Sequence, residues 1–453
     1  MWTGTSREPT YFNGVQKERV FENAFLEYGS MVSMTAPTKR KLFFLTDPIE
    51  DWPRDWADYK RNYQATFTAE LLYPMVSDYE VMPWPERIYT RPYKLANSDS
   101  SSLIPKYYST QMQVMINALN AMPLSSNKVS GTGGIAVLMS NSLMFQRFPT
   151  HNGFEDPQFS NFYGQTLPLL KRGVPVMTVH MENLKYPATL GKTKILVMSY
   201  SNMKPDGPEV HRYIADWVRK GGVLVYCGRD DDPYQSVMEW WDTKGNSFTA
   251  PSRHLFKELG IDASPGKQRY TVGKGAVYIL RQNPKEYVMD AGGDAPYLAA
   301  IKQAWEKDAN AGALQFRNVL YLERGPYDIV AVLDENADSK PYTVRGPVID
   351  LFDPQLPVLQ QKEIQPGEQA LLYDCRRVAA NNTPRVLAGA ARVYDEKTNT
   401  HAYSFIAKSP GNTQNSMRVR LPAKPLSVST TDSKGNPSRT RSRPGTKARR
   451  QNG

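Results

Sequence analysis

The sequence predicts a multidomain α/β protein, with a parallel strand–helix unit first, a doubly wound sheet in the middle and a C-terminal antiparallel β-sandwich. Three observations carry this. Residues 41–89 run as apolar strand, acidic loop, helix, strand and second acidic loop, the repeating unit of a parallel α/β structure. Between 131 and 310, short runs of Ile, Val, Leu and Met alternate with helical stretches, which argues a mostly parallel sheet covered on both faces. From about 313 the helical period disappears and strand-length segments alternate with turn residues.

Taken in order, 15–34 carries Val20, Phe21, Ala24, Phe25, Tyr28 and Met31 at helical spacing. Leu42 to Leu45 make a strand buried on both faces, ended by Thr46-Asp47-Pro48. A second helix spans 55–73, with Trp56, Tyr59, Tyr63, Phe67 and Leu71 on one side and Asp55 as N-cap. A strand at 79–82 opens into Pro83-Trp84-Pro85-Glu86-Arg87. A polar segment at 97–102 precedes a helix at 107–121. The middle region offers strands at 135–139, 176–179, 195–198, 223–226 and 276–280, and helices at 160–171, 207–220 and 295–307. Gly221-Gly222 ends the 207–220 helix just before its strand.

Length and composition bound the reading. A chain of 453 residues, 40% hydrophobic and 11% aromatic, can build several cores. No apolar stretch approaches the roughly 20 residues that span a bilayer, and the N-terminus has no basic start or apolar leader core. Cys227 and Cys375 are too few for a disulfide framework or a zinc site, which favours a reducing, cytoplasmic setting. The net charge of +11 is uneven: residues 424–453 hold eight Lys or Arg against one Asp. The basicity therefore belongs to a Ser/Thr/Pro/Gly-rich tail, 426–453, expected to be disordered. It could act weakly on polyanions; otherwise no nucleic-acid or membrane partner is expected.

The candidate chemistry lies on the two acidic strand ends. In parallel α/β folds, sites gather on loops at the carboxyl ends of strands. Glycosidic bond cleavage needs two flanking carboxyl groups, and aromatic rings give platforms for sugar faces. Asp47, Glu50 and Glu86 are the catalytic candidates, with Asp51, Trp52, Trp84 and Arg87 as substrate-binding candidates. The plainer alternative makes Asp47-Pro48 a turn, assigns Asp51 and Asp55 to the helix start and pairs Glu86 with a base. Glu22 and Glu27 read as solvated or salt-bridging helix positions. The loop from Thr3 to Arg7 could touch a substrate, but nothing around it strengthens that. Cys227 follows a strand as an amidotransferase nucleophile would, and His180-Met181-Glu182 has the spacing of its partner dyad. The dyad precedes the cysteine, however, and no helix follows Gly228, so Cys227 reads as a buried strand-end thiol. Gly131-Thr132-Gly133-Gly134 precedes its strand, so no dinucleotide or P-loop fingerprint is present and no cofactor is expected.

FENAFLEYGSM, FFLTDPIEDWPRDWADYKRNY, YEVMPWPERIY and VIDLFDPQLPV followed by PGEQALLYD resemble a bacterial group of family 42 β-galactosidase-type glycoside hydrolases. The resemblance extends to about residue 425. It implies a partial (β/α)8 barrel end at 1–92, a linker and helix at 93–130, an amidotransferase-like α/β domain at 131–310 that serves oligomer contact, and the β-sandwich at 311–425. On it, the 41–46 and 79–82 strands are the last two barrel strands, with Asp47 and Glu86 facing the cleft. The family places a glutamate nucleophile at the end of the seventh strand, whereas this sequence has Asp47 there and Glu50 three residues on. The acid/base would end a fourth strand that these residues do not supply, so the N-terminal barrel part is expected to be missing. The function implied is hydrolysis of O-glycosyl bonds of a carbohydrate by a homo-oligomer, with no metal. The chain could be silent alone, and the rival is a non-catalytic carbohydrate-binding or assembly protein.

Overall fold

The computed structural model describes residues 7–49, 53–81, 85–143, 160–232, 234–235, 237–262, 264–378, 383–411 and 413–438. The chain opens with a hairpin, β1 (Pro9–Phe12) and β2 (Val15–Glu18), paired antiparallel. This corrects the expectation of one helix from residue 15. Asn13 and Gly14 both take positive φ, 51° and 78°, forming the two-residue turn that matches hairpin twist. Helix α1 therefore begins only at Val20 and runs Val20–Thr35.

Strand β3 (Phe44–Thr46) pairs in parallel with β4 (Tyr79–Val81), in the register Phe44 to Tyr79 and Thr46 to Val81. Between them runs α2 (Trp56–Leu71), whose N-cap Asp55 accepts the Asp58 N–H at 2.7 Å, as the sequence suggested. Phe44 is buried against the rings of Tyr28 and Tyr73. A short helix α3 (Pro85–Tyr89), the small pair β5 (Tyr93–Lys94) and β6 (Ser101–Ser102), and α4 (Lys106–Asn120) follow. Among the described residues β3 and β4 form a sheet of two strands.

The middle sheet contains β7 (Ile135–Met139), β8 (Met177–His180), β9 (Ile195–Met198), β10 (Val223–Cys227), β11 (Arg269–Val272) and β12 (Gly275–Leu280). Its order is β8-β7-β9-β10-β12-β11; all neighbours are parallel except the edge strand β11. Alternate residues face opposite cores: Val137, Val197 and Val225 on one side, Leu138, Leu196 and Tyr226 on the other. That double burial explains why these strands read as continuous apolar runs. The connecting helices are α5 (Ser160–Leu170), α6 (Glu209–Arg219), α7 (Pro251–Glu258), α8 (Glu286–Met289) and α9 (Ala295–Gln303). Helix α1 packs along the edge strand β8.

The C-terminal strands are β13 (Val319–Arg324), β14 (Tyr327–Val332), β15 (Tyr342–Asp350), β16 (Val358–Ile364), β17 (Gln369–Asp374), β18 (Arg385–Gly389), β19 (Arg392–Thr398), β20 (Tyr403–Lys408) and β21 (Met417–Arg420). The first five form an antiparallel sheet, β13-β14-β17-β15-β16; the rest pair as β18-β21 and β19-β20. Helix α2 covers β14 and β17 on one face. On the other, Val344 and Ile364 join the cluster of Val330, Val332 and Leu372, because β15 changes register between Arg345 and Val348 and the β15–β16 ribbon bends over its own sheet. Arg324, fully buried at the end of β13, ties this sheet to the N-terminal unit. It donates to Pro123 O at 2.6 Å, Tyr79 Oη at 2.7 Å and the Leu71 carbonyl at 3.3 Å. Residues 426–438 are exposed with a turn around Asp432; the remainder of the basic tail lies outside the described residues.

Candidate functional site at two parallel strand ends

The register of β3 and β4 sets their carboxyl ends, Thr46 and Val81, side by side, and Asp47 directly follows the first of them. Half-buried, Asp47 uses Oδ1 to accept the Ile49 N–H at 3.0 Å, the turn role that the Asp-Pro sequence permits. Its carboxylate also acts on two phenols. Burial above all, and the nearby Glu70, push Tyr63 up, with Asp47 adding to the effect. Tyr93 is raised by burial and by Asp47, against the pull of Arg87 and Arg91.

Glu86 stands exposed in the first turn of α3, and its backbone carbonyl accepts the Thr90 hydroxyl at 2.8 Å. Arg87, next on the same helix, donates from Nε to Tyr93 Oη at 2.7 Å, and its guanidinium lies 5.8 Å from that ring. The structure therefore gathers Asp47, Arg87 and Tyr93 around one phenol, with Glu86 on the adjoining helix. Glu50, Asp51, Trp52 and Trp84 lie outside the described residues.

Behind the strands lies a polar group the sequence reading missed. Thr46, Tyr63 and Glu70 are 1%, 0% and 0% exposed; the Thr46 hydroxyl acts on the Tyr63 phenol, while both Glu70 oxygens make no hydrogen bond among the described residues. Burial drives the Glu70 carboxyl well above its ordinary range, only partly opposed by Arg324. The signal was available: Glu70 falls seven residues after Tyr63, on the same apolar stripe of α2.

A cleft of about 670 Å³ opens elsewhere, between the outer face of α2 and the five-stranded sheet, with Lys60, Arg61, Gln64, Asp353, Lys362 and Gln369 in its walls. Neither Asp47 nor Glu86 lines it. At its inner end Lys171 is 1% exposed and contacts Glu22 at 2.6 Å, Glu335 at 3.2 Å and Asp334. Of the two roles the sequence left open for Glu22, the structure shows the salt-bridging one, and buries it. Burial works against the Lys171 ammonium, but Glu22 and Asp334 outweigh it and push it up to about 12.

Cys227 ends β10 fully buried, and burial pushes its thiol up to about 12, so it is an inert thiol at neutral pH. His180 ends β8, three positions away in the sheet order, or about 14 Å at normal strand spacing. The two therefore do not form a nucleophile and its base. Among the described residues no group of three or more His, Cys, Asp or Glu could hold a metal ion, and no helix is long and apolar enough to cross a membrane.

No protein-family model matches the chain, and no curated protein matches it in sequence. Among solved structures it is similar to a β-galactosidase from Rahnella sp. R3, at 12% identity and a TM-score of 0.43 over 78% of this chain and 57% of that one. A β-galactosidase from Bacillus circulans sp. alkalophilus gives 12% identity and 0.43 over 78% and 58%. A catalytic mutant of a GH42 β-galactosidase from G. stearothermophilus gives 11% and 0.43 over 78% and 57%. The chain spans less than three fifths of the length of these structures. At such identity no residue's role passes from them to this chain.

Proposed function

We propose that this chain is a glycoside hydrolase-type protein acting on O-glycosyl bonds of a carbohydrate, with its sugar-facing surface at the carboxyl ends of β3 and β4. The observation that carries this reading is the convergence there of Asp47, Arg87 and Tyr93, with the exposed Glu86 beside them. Carboxyl groups can protonate a leaving oxygen or stabilise an oxocarbenium-like centre, while phenol and guanidinium hydrogen-bond sugar hydroxyls. In this proposal Glu86, Asp47 and Glu50 are the catalytic carboxyls, and Asp51, Trp52, Trp84 and Arg87 extend the sugar-binding rim. The division 1–92, 93–130, 131–310 and 311–425 belongs to the same proposal, the middle unit serving homo-oligomer contact.

Hydrolysis of nitrophenyl glycosides by the purified chain tests it. Loss of turnover by about 100-fold or more in Glu86→Gln or Asp47→Asn is the expected result. Equal turnover in both variants sinks the assignment. A second reading, carbohydrate binding without turnover, is favoured by one observation: Asp47 Oδ1 is already engaged by the Ile49 N–H. Calorimetric sugar binding with no hydrolysis, weakened in Arg87→Ala, selects that reading.

A further inference from the structure

A second constellation lies at another strand end, where α1 packs against β8. The Ser30 hydroxyl, on the half-exposed C-terminal half of α1, lies 3.0 Å from His180 Nε2. On the far side of the ring, Nδ1 faces Glu182 Oε2 at 3.8 Å. That carboxylate is anchored from a third element: Asn141, which follows β7, donates its N–H to Oε1 at 2.8 Å. Oε2 is buried and makes no hydrogen bond among the described residues, so it is left directed at the imidazole. The scaffold is braced on both sides, by Ser33 Oγ against Thr178 Oγ1 at 3.3 Å and by Asn183 Nδ2 donating to Ser33 O and Met34 O at 3.1 Å each.

From this geometry we infer an acyl-transfer centre with Ser30 as nucleophile, His180 as general base and Glu182 as the carboxylate that orients it. The order of contacts is the one nucleophilic catalysis requires: hydroxyl on one ring nitrogen, anion opposite the other. Burial opposes ionisation of Glu182, yet His180 and the Asn141 N–H outweigh it and hold the carboxyl below its ordinary range. An ionised Glu182 favours the tautomer with the proton on Nδ1, which leaves Nε2 free to accept from Ser30. A histidine that only filled space at this interface would need one partner; here an anchored anion completes the line.

The chemistry is hydrolysis of a carboxylic ester. Ser30 Oγ forms a bond to the acyl carbon while its proton passes to His180 Nε2. The alkoxide leaves as the C–O bond breaks and takes that proton as an alcohol. Water then attacks the acyl-serine as His180 accepts its proton, the bond from the acyl carbon to Ser30 Oγ breaks, and His180 returns the proton to Oγ as the acid departs. No redox partner or metal enters. Half-buried Met34, one turn beyond Ser30, suits an apolar acyl group, so an uncharged ester of a short acid is the substrate class. This centre is independent of the β3–β4 site and of the glycoside reading.

An alkyl fluorophosphonate incubated with the full chain, followed by peptide mapping, tests the inference. The expected result is a stoichiometric adduct on Ser30, kept in Ser33→Ala and slowed about 100-fold or more in His180→Gln. A folded chain that stays unlabelled at Ser30 overturns the proposal, and so does labelling of folded His180→Gln at the parent's rate. Should His180→Gln fail to fold, by far-UV circular dichroism, Glu182→Gln takes its place, with about 10-fold slower labelling expected and an unchanged rate counting against the centre.

Discussion

Replacing Lys171 with methionine removes the cation that faces Glu22 and leaves a carboxylate inside the protein. The side chains are 1% and 8% exposed, and their contact is 2.6 Å. The two other carboxylates on Lys171 keep partners of their own: Asp334 retains Lys17 at 2.9 Å and Glu335 retains Arg19 at 2.7 Å. The loss therefore amounts to one uncompensated buried charge, about 3–5 kcal/mol. Methionine fills much of the lysine volume, so a cavity adds little. Lys171→Met combined with Glu22→Met removes both charges and should return to within about 1–2 kcal/mol of the parent, because a well-packed apolar pair often replaces a buried ion pair at no cost. Urea denaturation at pH 7, followed by far-UV circular dichroism, measures both. A single variant within about 1 kcal/mol of the parent, or a double variant as damaged as the single, would show that the pair is not buried as described.

Two further outcomes follow from buried titratable groups. Glu70 has a raised folded-state pKa, so its stability contribution is full below about 4.5 and declines as pH climbs toward that raised value. Glu70→Gln should leave stability at pH 5 nearly unchanged and make the chain more stable than the parent at pH 8; urea midpoints that move together at the two pH values would contradict this. His211 is fully buried between Tyr200 Oη at 2.6 Å and His254 Nδ1 at 2.8 Å, and burial, then His254, hold it well below the ordinary imidazole range. Its depressed pKa gives stability that is complete above about 6.5 and lost as pH falls below that. Trp240, whose ring packs edge-on to both imidazoles, should report loosening between pH 6.5 and 5 as a fluorescence change absent in Trp240→Phe; an unchanged signal over that interval counts against the neutral pair.

The middle sheet was the most legible part of the fold. The runs at 135–139 and 195–198 coincide with β7 and β9, because strands covered on both faces leave uninterrupted apolar runs. Helix α2 was equally legible, since Asp55 supplies both a cap and a boundary. The first helix was over-extended because the apolar period runs smoothly back to residue 15, and the Asn13-Gly14 turn that overrides it is a two-residue signal. That Asp47 follows directly on a strand was readable from the pattern of strand and loop; that Glu86 sits in a helix rather than a loop was not. Nor was the turn of Arg87 onto Tyr93, because side-chain orientation is set by packing. Lys171 with Glu22 and Ser30 with His180 join residues about 150 positions apart, and no local period carries such pairs.

Arg324 bears on the order in which the chain can mature. The C-terminal end of α2 and the start of β4 are held by a guanidinium 253 and 245 residues downstream, so the first hundred residues lack the donor that the Leu71 carbonyl and the Tyr79 phenol accept from. At about 5–20 residues per second, the ribosome delivers Arg324 roughly 12–50 seconds after Tyr79. During that interval the nascent strand pair is a waiting surface, with α2 uncovered until β14 and β17 arrive. Synthesis speed, and any chaperone that shelters α2, thereby enter the folding yield of a segment that is already complete in sequence.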